Sequence, residues 1–310
     1  MKWIVGFSII AAIVGVIATT TIPAATITPD QAILKFFPQE TEGVAFIDVA
    51  GLRNSPLAKD YLDGKFARLP RGAQEFEEAT GFSVQRDLDR VTVGRLGERE
   101  ILAVVEGTFD PVKFEQFAGE KGAQSETYRG RAIYRHDHGA VAFVDNVVLA
   151  GSYDAVKKSI DQVSLPGSPT LRSDLLDSIK TIDAGNQVWA VGDFYPEQLP
   201  PQVARTPAAN LIREFKGGTY QMRVDQDIHA RAIGNFSSAE HARSAADLAR
   251  GAIALAKLQA SRMPDQTFVQ ALDGIQIANS GASLTVNIDA SGEVLKKLPD
   301  YHRPTIERAQ

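Results

Sequence analysis

The sequence predicts an α+β protein: two related modules of mainly antiparallel sheet with helices packed on one face, after an N-terminal apolar helix. Two observations lead to this fold class. Short apolar runs occur in pairs around turn residues, as 90–96 and 101–105 do around Gly97 and Glu98. Such pairs are followed by amphipathic helical stretches, of which the longest covers about 238–262.

Length and composition fit a globular chain and exclude several classes of protein. The 310 residues are 44% hydrophobic and 23% charged, unlike a wholly disordered, collagen-like or polytopic membrane protein. A net charge of -5 argues against nucleic acid as a partner, because such binding needs clustered cations. The absence of cysteine excludes disulfides, thiolate metal sites and cysteine nucleophiles, and no cofactor is expected.

Residues 1–27 have the layout of a signal peptide or an N-terminal membrane anchor. Lys2 precedes an apolar run over 3–18 whose one polar side chain is Ser8. The run is short against the roughly 20 residues that span a bilayer, and Ala18 fits the small-residue rule for cleavage. Cleavage after Ala18 and an uncleaved anchor extending through Ile27 both stay open. Either one carries the rest of the chain out of the cytoplasm, with membrane contact only through 3–27 if it is retained.

The order of elements recurs, which predicts a first module over 28–165, a second over 170–298 and a polar tail over 299–310. The pattern G-[TS]-[FY]-D-x-V-K occurs at 107–113 and again at 151–157. In both places an apolar strand precedes it and an amphipathic helix follows. We interpret the acids of this pattern, Asp110 and Asp154, as helix caps. A phosphate loop is the alternative, which the single glycine and the acidic side chain disfavour.

Two aspartates and two histidines are the candidates for chemistry. Asp48 and Asp193 end corresponding apolar strands, so a pair across an internal twofold could perform acid–base catalysis, although such residues more often cap a helix or turn. His136 and His138 are two residues apart, a spacing that places both on one side of a strand and within reach of one metal ion. Gly139 follows directly and favours a solvated turn instead.

An aromatic cluster is the candidate ligand site. Trp189, Phe194 and Tyr195 lie close to prolines 196, 200 and 201. Aromatic side chains beside rigid prolines are typical of grooves that bind peptides or small ligands. Packing in the core or against a loop explains them equally well. The serines before His241, Ser237 and Ser238, suit helix capping rather than a catalytic triad.

The segment 37–52, which reads FPQETEGVAFIDVAGL, resembles the opening of a group of exported bacterial proteins of unknown function. Their pattern is P-x-[DE]-T-x-x-V-x followed by two hydrophobic residues and Asp. The resemblance implies a bacterial envelope protein with a repeated α+β module, and it assigns no catalytic residues.

Three functions are consistent with these patterns. The first is a non-catalytic module that binds another envelope protein or a small ligand. The second is an extracytoplasmic hydrolase that uses the strand-end carboxylates. The third is a membrane-anchored structural or assembly factor, which requires that residues 3–27 stay attached.

Overall fold

The computed structural model describes residues 31–57, 71–98, 100–137, 139–164, 171–193, 209–262 and 266–297. The segments 1–27, 165–170 and 299–310 lie outside these ranges, and the predictions made for the first and the last stay predictions. The described residues form two compact units. One contains residues 31–193 with Gly217–Asp225, and the other contains 209–216 with 226–297. The α+β class is confirmed, with a large antiparallel sheet and eleven helices in the described part of the chain.

The first unit is built on nine antiparallel strands in the order β9-β8-β1-β2-β3-β7-β6-β5-β4. Their bounds are β1 Gly43–Asp48, β2 Leu88–Arg95, β3 Ile101–Gly107, β4 Gln124–Tyr128, β5 Arg131–His136, β6 Gly139–Val144, β7 Val147–Ser152, β8 Val188–Asp193 and β9 Phe215–Val224. β8 and most of β9 therefore belong to this unit, although the sequence places them in the second module. The duplication itself stays a prediction.

Strand β1 forms because its apolar residues alternate, and it pairs with β2 on one side and β8 on the other. Val44, Phe46 and Asp48 point to one buried face, while the residues between them are half-buried. Phe46 lies opposite Trp189 of β8, and the two rings stack with centroids 5.5 Å apart. This contact joins β1 and β8 within the hydrophobic core of the first unit.

Seven helices belong to the first unit: α1 Gln31–Leu34, α2 Val49–Arg53, α3 Arg71–Thr80, α4 Val84–Asp87, α5 Pro111–Glu120, α6 Tyr153–Ser164 and α7 Ser173–Lys180. Asp110 caps α5 as predicted, because its side chain accepts hydrogen bonds from the amides of Val112 and Lys113. The prediction for Asp154 was wrong. Helix α6 begins at Tyr153, directly after β7, so Asp154 lies inside the first turn.

Helices cover both faces of the first unit's sheet, so the prediction of a single covered face was wrong here. On β3, Leu102 and Val104 join one hydrophobic cluster, and Ala103 and Val105 join the other. Helices α6 and α7 contribute to the first cluster, through side chains that include Ile160 and Ile179; α3 and α5 contribute Phe76 and Phe117 to the second. A continuous apolar run such as that of β3 is typical of a strand buried on both sides.

The second unit has three antiparallel strands in the order β11-β12-β10, with bounds β10 Ile228–Phe236, β11 Ile275–Ser280 and β12 Ser283–Ala290. Its helices are α8 Ala209–Arg213, α9 Ala239–Ala260, α10 Thr267–Asp273 and α11 Gly292–Lys297. Helix α9 packs on these strands through small side chains, of which Ala242 and Ala246 are fully buried. Among the described helices, none is both long and apolar enough to cross a membrane.

Gly94 on β2 provides a test of this packing. A Cβ at this position would lie 2.4 Å from Cδ1 of Phe37, whose ring is fully buried. We expect Gly94→Ala to lower the free energy of unfolding by about 1–3 kcal/mol, because the ring must shift within a filled core. Urea denaturation of the purified chain measures this change.

Gly119 in α5 is the matched control, since a Cβ there would meet no described atom within 4 Å. Gly119→Ala should be neutral or stabilise by up to about 1 kcal/mol. Adding Phe37→Leu to Gly94→Ala should recover part of the loss. Equal stability of the two alanine variants would contradict the proposed contact.

Candidate functional site

Asp48 starts helix α2. Its side chain is 2% exposed, and its Oδ1 accepts a hydrogen bond of 2.9 Å from the amide of Gly51. The other oxygen, Oδ2, is buried and has no hydrogen-bond partner in the described part of the chain. Burial raises the pKa of this carboxyl, while the bond from Gly51 and the charges of Arg90 and Arg53 oppose that rise. The structure therefore confirms the capping interpretation for Asp48.

Asp193 ends β8 and forms a surface ion pair. Its Oδ2 lies 2.7 Å from Nη2 of Arg172, which also contacts Asp174 at 2.9 Å. The hydrogen bond to Asp193 raises the pKa of the Arg172 guanidinium. Because 39% of the Asp193 side chain is exposed, solvent screens this pair and its contribution to stability is small.

The structure does not bring Asp48 and Asp193 together. Strands β1 and β8 are antiparallel, with Gly43 opposite Gly192 and Ile47 opposite Val188. The two aspartates consequently lie at opposite ends of the strand pair, about 20 Å apart along the strands at the usual rise per residue. Two carboxylates at this separation cannot share a proton or act on the same bond.

The two histidines are not joined by a strand. Strand β5 ends at His136, and Asp137 adopts a left-handed turn conformation with φ 52. The alternation of faces that would align two imidazoles therefore stops at His136, and His138 lies outside the described residues. His136 Nδ1 contacts Asp137 Oδ2 at 3.4 Å on the surface. Within the described ranges, no three metal-ligating side chains form a group that could hold an ion.

Trp189 is part of the core rather than of a groove. Its side chain is 1% exposed, and it belongs to the hydrophobic cluster that includes Phe46 and Val191. A ligand could reach the indole only if this cluster opened. Phe194 and Tyr195, the other aromatic candidates, lie outside the described residues. For Trp189 the structure supports the packing interpretation.

A serine, a histidine and a glutamate meet at the start of α9. Ser238 caps the helix by accepting a hydrogen bond from the amide of His241. The neighbouring Ser237 Oγ donates to the carboxylate of Glu214 and lies 2.8 Å from His241 Nδ1. That bond from Ser237 lowers the pKa of Glu214. In a catalytic triad the carboxylate and the serine contact different nitrogens of the histidine ring, whereas here both approach Nδ1. The cluster therefore links the residue after α8 to the start of α9.

Among the described helices and strands, α9 carries the largest group of exposed large hydrophobic side chains. Leu248, Leu255 and Leu258 are 51%, 56% and 55% exposed. Their spacings of seven and three residues place them on one side of the helix, with Gly251 between them. We call Leu248, Gly251, Leu255 and Leu258 the leucine face. The sequence predicts the helix over 238–262, and the heptad spacing of these leucines is visible in it, but their exposure is not.

The buried charge of Asp48 yields a pH-dependent prediction. Because its pKa in the fold is raised above the unfolded value of about 3.9, the stability it contributes is present at low pH and is lost as the pH rises through the raised pKa. Asp48→Asn keeps an oxygen for the Gly51 amide but carries no charge. We expect wild type to gain stability relative to Asp48→Asn when the pH is lowered from 7 to 4.

Urea denaturation at both pH values measures this difference. Asp48→Ala is the control, since it loses the cap and should cost about 0.5–2 kcal/mol at neutral pH. If wild type and Asp48→Asn differ in unfolding free energy by the same amount at pH 7 and pH 4, ionisation of Asp48 does not affect the stability of the fold.

Two crystal structures of the protein TP0453 resemble this chain. Crystal form III has 11% sequence identity and a TM-score of 0.47, and the match covers 84% of this chain and 95% of that chain. Crystal form I has 12% identity and a TM-score of 0.48, and the match covers 84% and 94%. No family model matches the sequence, and the search of curated proteins finds no match. A likeness at this level assigns no role to any residue.

Proposed function

We propose that this chain is an exported bacterial envelope protein that binds a partner through the leucine face of α9 and performs no chemistry of its own. The observation that carries the proposal is the alignment of three exposed leucines on one helix. An isolated exposed leucine is ordinary, but a row of them marks an interaction surface.

The distribution of exposed apolar side chains supports this surface. Among the described residues, the large hydrophobic side chains that stay exposed are those of Ile101, Val112, Leu248, Leu255 and Leu258. Three of these five lie on the leucine face, and the other two lie on different elements. Covering a leucine side chain fully is worth about 1.5–3 kcal/mol, so a partner that covers the row gains a useful affinity.

Export is proposed from the sequence. The N-terminal segment has the features of an export signal in the usual order: the cation Lys2, an apolar run and then the small residue Ala18. The resemblance of segment 37–52 to exported proteins supports the same compartment. The cysteine-free composition is compatible with an oxidising compartment, since there is no thiol to oxidise.

We also propose that the two modules arose by duplication, after an N-terminal apolar helix. The order of elements supports this. Strand β1, helix α2, strands β2 and β3 and helix α5 follow one another in the first module, with α3 and α4 inserted. Strand β8, helix α8, strands β9 and β10 and helix α9 follow in the second.

The N-terminus of the chain isolated from cells tests the export proposal. Cleavage after Ala18 predicts a chain that begins at Thr19, and mass spectrometry of the intact protein reads this directly. An uncleaved chain that fractionates with membranes would instead support the anchored structural or assembly factor. A full-length chain recovered in the cytoplasmic fraction would overturn export.

Site-specific photo-crosslinking in cells tests the binding surface. A photoreactive amino acid replaces Leu255, and the matched control carries it at Val112, which is 62% exposed on α5. We expect an adduct of one defined mass from position 255 and none from 112, because only the leucine face is covered. No adduct from either position, or the same adducts from both, would contradict binding through this face.

A further inference from the structure

We infer that the partner of the leucine face is a second copy of this chain, held in an antiparallel pair of α9 helices around a twofold axis near Ile253. The inference rests on the proposed function, because it names the occupant of the same surface. Three features of α9 lead to it: an exposed glycine, the symmetry of the leucine spacing and the placement of charges.

Gly251 has no explanation within the described part of the chain. It lies inside a helix of 22 residues, where glycine lowers helix stability relative to alanine. A Cβ at this position would meet no described atom within 4 Å, and the residue is not among those with positive φ. Neither close packing nor backbone conformation therefore requires glycine here. The residue leaves a notch in the exposed face, at which another side chain can approach the helix backbone.

The same face supplies a side chain that fits the notch. Residues Leu248, Gly251, Leu255 and Leu258 occupy successive a and d positions of a heptad. Leu248 and Leu258 are each five residues from Ile253, and Gly251 and Leu255 are each two residues from it. A twofold axis level with Ile253 therefore exchanges the members of each pair. In an antiparallel pair, each Leu255 consequently packs over the second copy's Gly251, and each Leu248 packs against the second copy's Leu258. A twofold interface requires this kind of self-complementarity.

A parallel pair fits the face less well. It would place Gly251 opposite the same glycine of the second copy and leave a gap in the middle of the interface. In the antiparallel pair Leu255 fills that gap. The two helix dipoles also point in opposite directions, which is favourable. The spacing thus selects an orientation as well as a partner.

The charges on α9 complement each other in the antiparallel pair. The same twofold axis relates exposed Ser244 to exposed Arg262, which lies in the turn directly after α9. Glu240 and Asp247 lie within one turn of Ser244 and on one flank of the face, so the second copy's Arg262 enters beside two carboxylates. Asp247 already pairs with Arg250, from Nη1 to Oδ1 at 2.8 Å, so the second copy's Arg262 joins that pair while Glu240 supplies the second carboxylate.

An anionic lipid surface fits the face less well than a second copy does. A helix that lies on such a membrane carries cations beside its apolar face. Here the carboxylates of Glu240 and Asp247 alternate with Arg243 and Arg250 along the helix, and Arg250 is paired with Asp247 at 2.8 Å, so no cationic flank borders the leucines. Lys257, the lysine of α9, is paired with Asp273 at 2.8 Å.

Sedimentation velocity of the full chain over a dilution series is the first test. We expect wild type to dimerise reversibly, Leu255→Glu to weaken the dimer by at least about thirtyfold and Val112→Glu to leave it unchanged. Gly251→Ala should raise the melting temperature of the dilute chain yet weaken the dimer, because the methyl group fills the notch. A monomeric wild type, or a dimer that Leu255→Glu leaves intact, would overturn the inference.

Cysteine crosslinking tests the orientation, and the cysteine-free sequence makes it simple because every thiol is introduced. Chains carrying Ser244→Cys and Arg262→Cys are oxidised separately and as an equimolar mixture. The antiparallel pair predicts a crosslinked dimer containing one chain of each kind from the mixture and little product from either variant alone. Efficient crosslinking of each variant with itself indicates a parallel pair and contradicts the assigned axis.

The photo-crosslinking at Leu255 separates failure of this inference from failure of the proposed function. An adduct made of two copies of the chain supports both. An adduct with a different protein, with lipid or within a single chain overturns the second copy as occupant, while a different-protein adduct keeps the binding function. Absence of any adduct overturns both.

Discussion

The pairing of β1 with β2 and β8 is the constraint on which the first unit depends. Val44 and Phe46 of β1 face one hydrophobic cluster, and the stacking of Phe46 on Trp189 ties β8 into the same core. The amide of Asp48 donates to the carbonyl of Gln187, whose own side chain is buried and accepts a hydrogen bond from the amide of Val224. One ladder thus positions the start of α2 and the end of β9.

The direction of that ladder also decides which chemistry is available. A sequence with two similar strands that both end in aspartate suggests that the carboxylates meet. They would meet if the strands were parallel, since equivalent ends then lie at one edge of the sheet. Because β1 and β8 are antiparallel, Asp48 and Asp193 are separated, and each has taken a local role: Asp48 caps α2 and Asp193 pairs with Arg172.

Local signals in the sequence predicted local structure well. The alternation of β1, the hairpin of β2 with β3, the cap at Asp110 and the long helix after Ser238 all appear where the pattern indicated. Strand β4 was missed because its residues are polar and mostly exposed at the edge of the sheet. Strand direction, the second covered face and the burial of Trp189 depend on residues distant in sequence, so no local pattern contains them. The leucine spacing was visible, but its exposure was not.

Helix α9 buries small side chains, those of Ala242, Ala246 and Ala260, and exposes its three leucines. The buried alanines allow the helix to approach its sheet closely, and that close packing leaves the larger side chains outside. Because each leucine is about half exposed, an isolated chain forgoes about half of the 1.5–3 kcal/mol that full burial of a leucine gives, and about 1 kcal/mol more for the glycine between them. A second helix that covered the face would offset both costs, because it would bury the leucines and place one of its own against the glycine. This distribution of side chains is the physical reason for proposing that α9 pairs with a second copy.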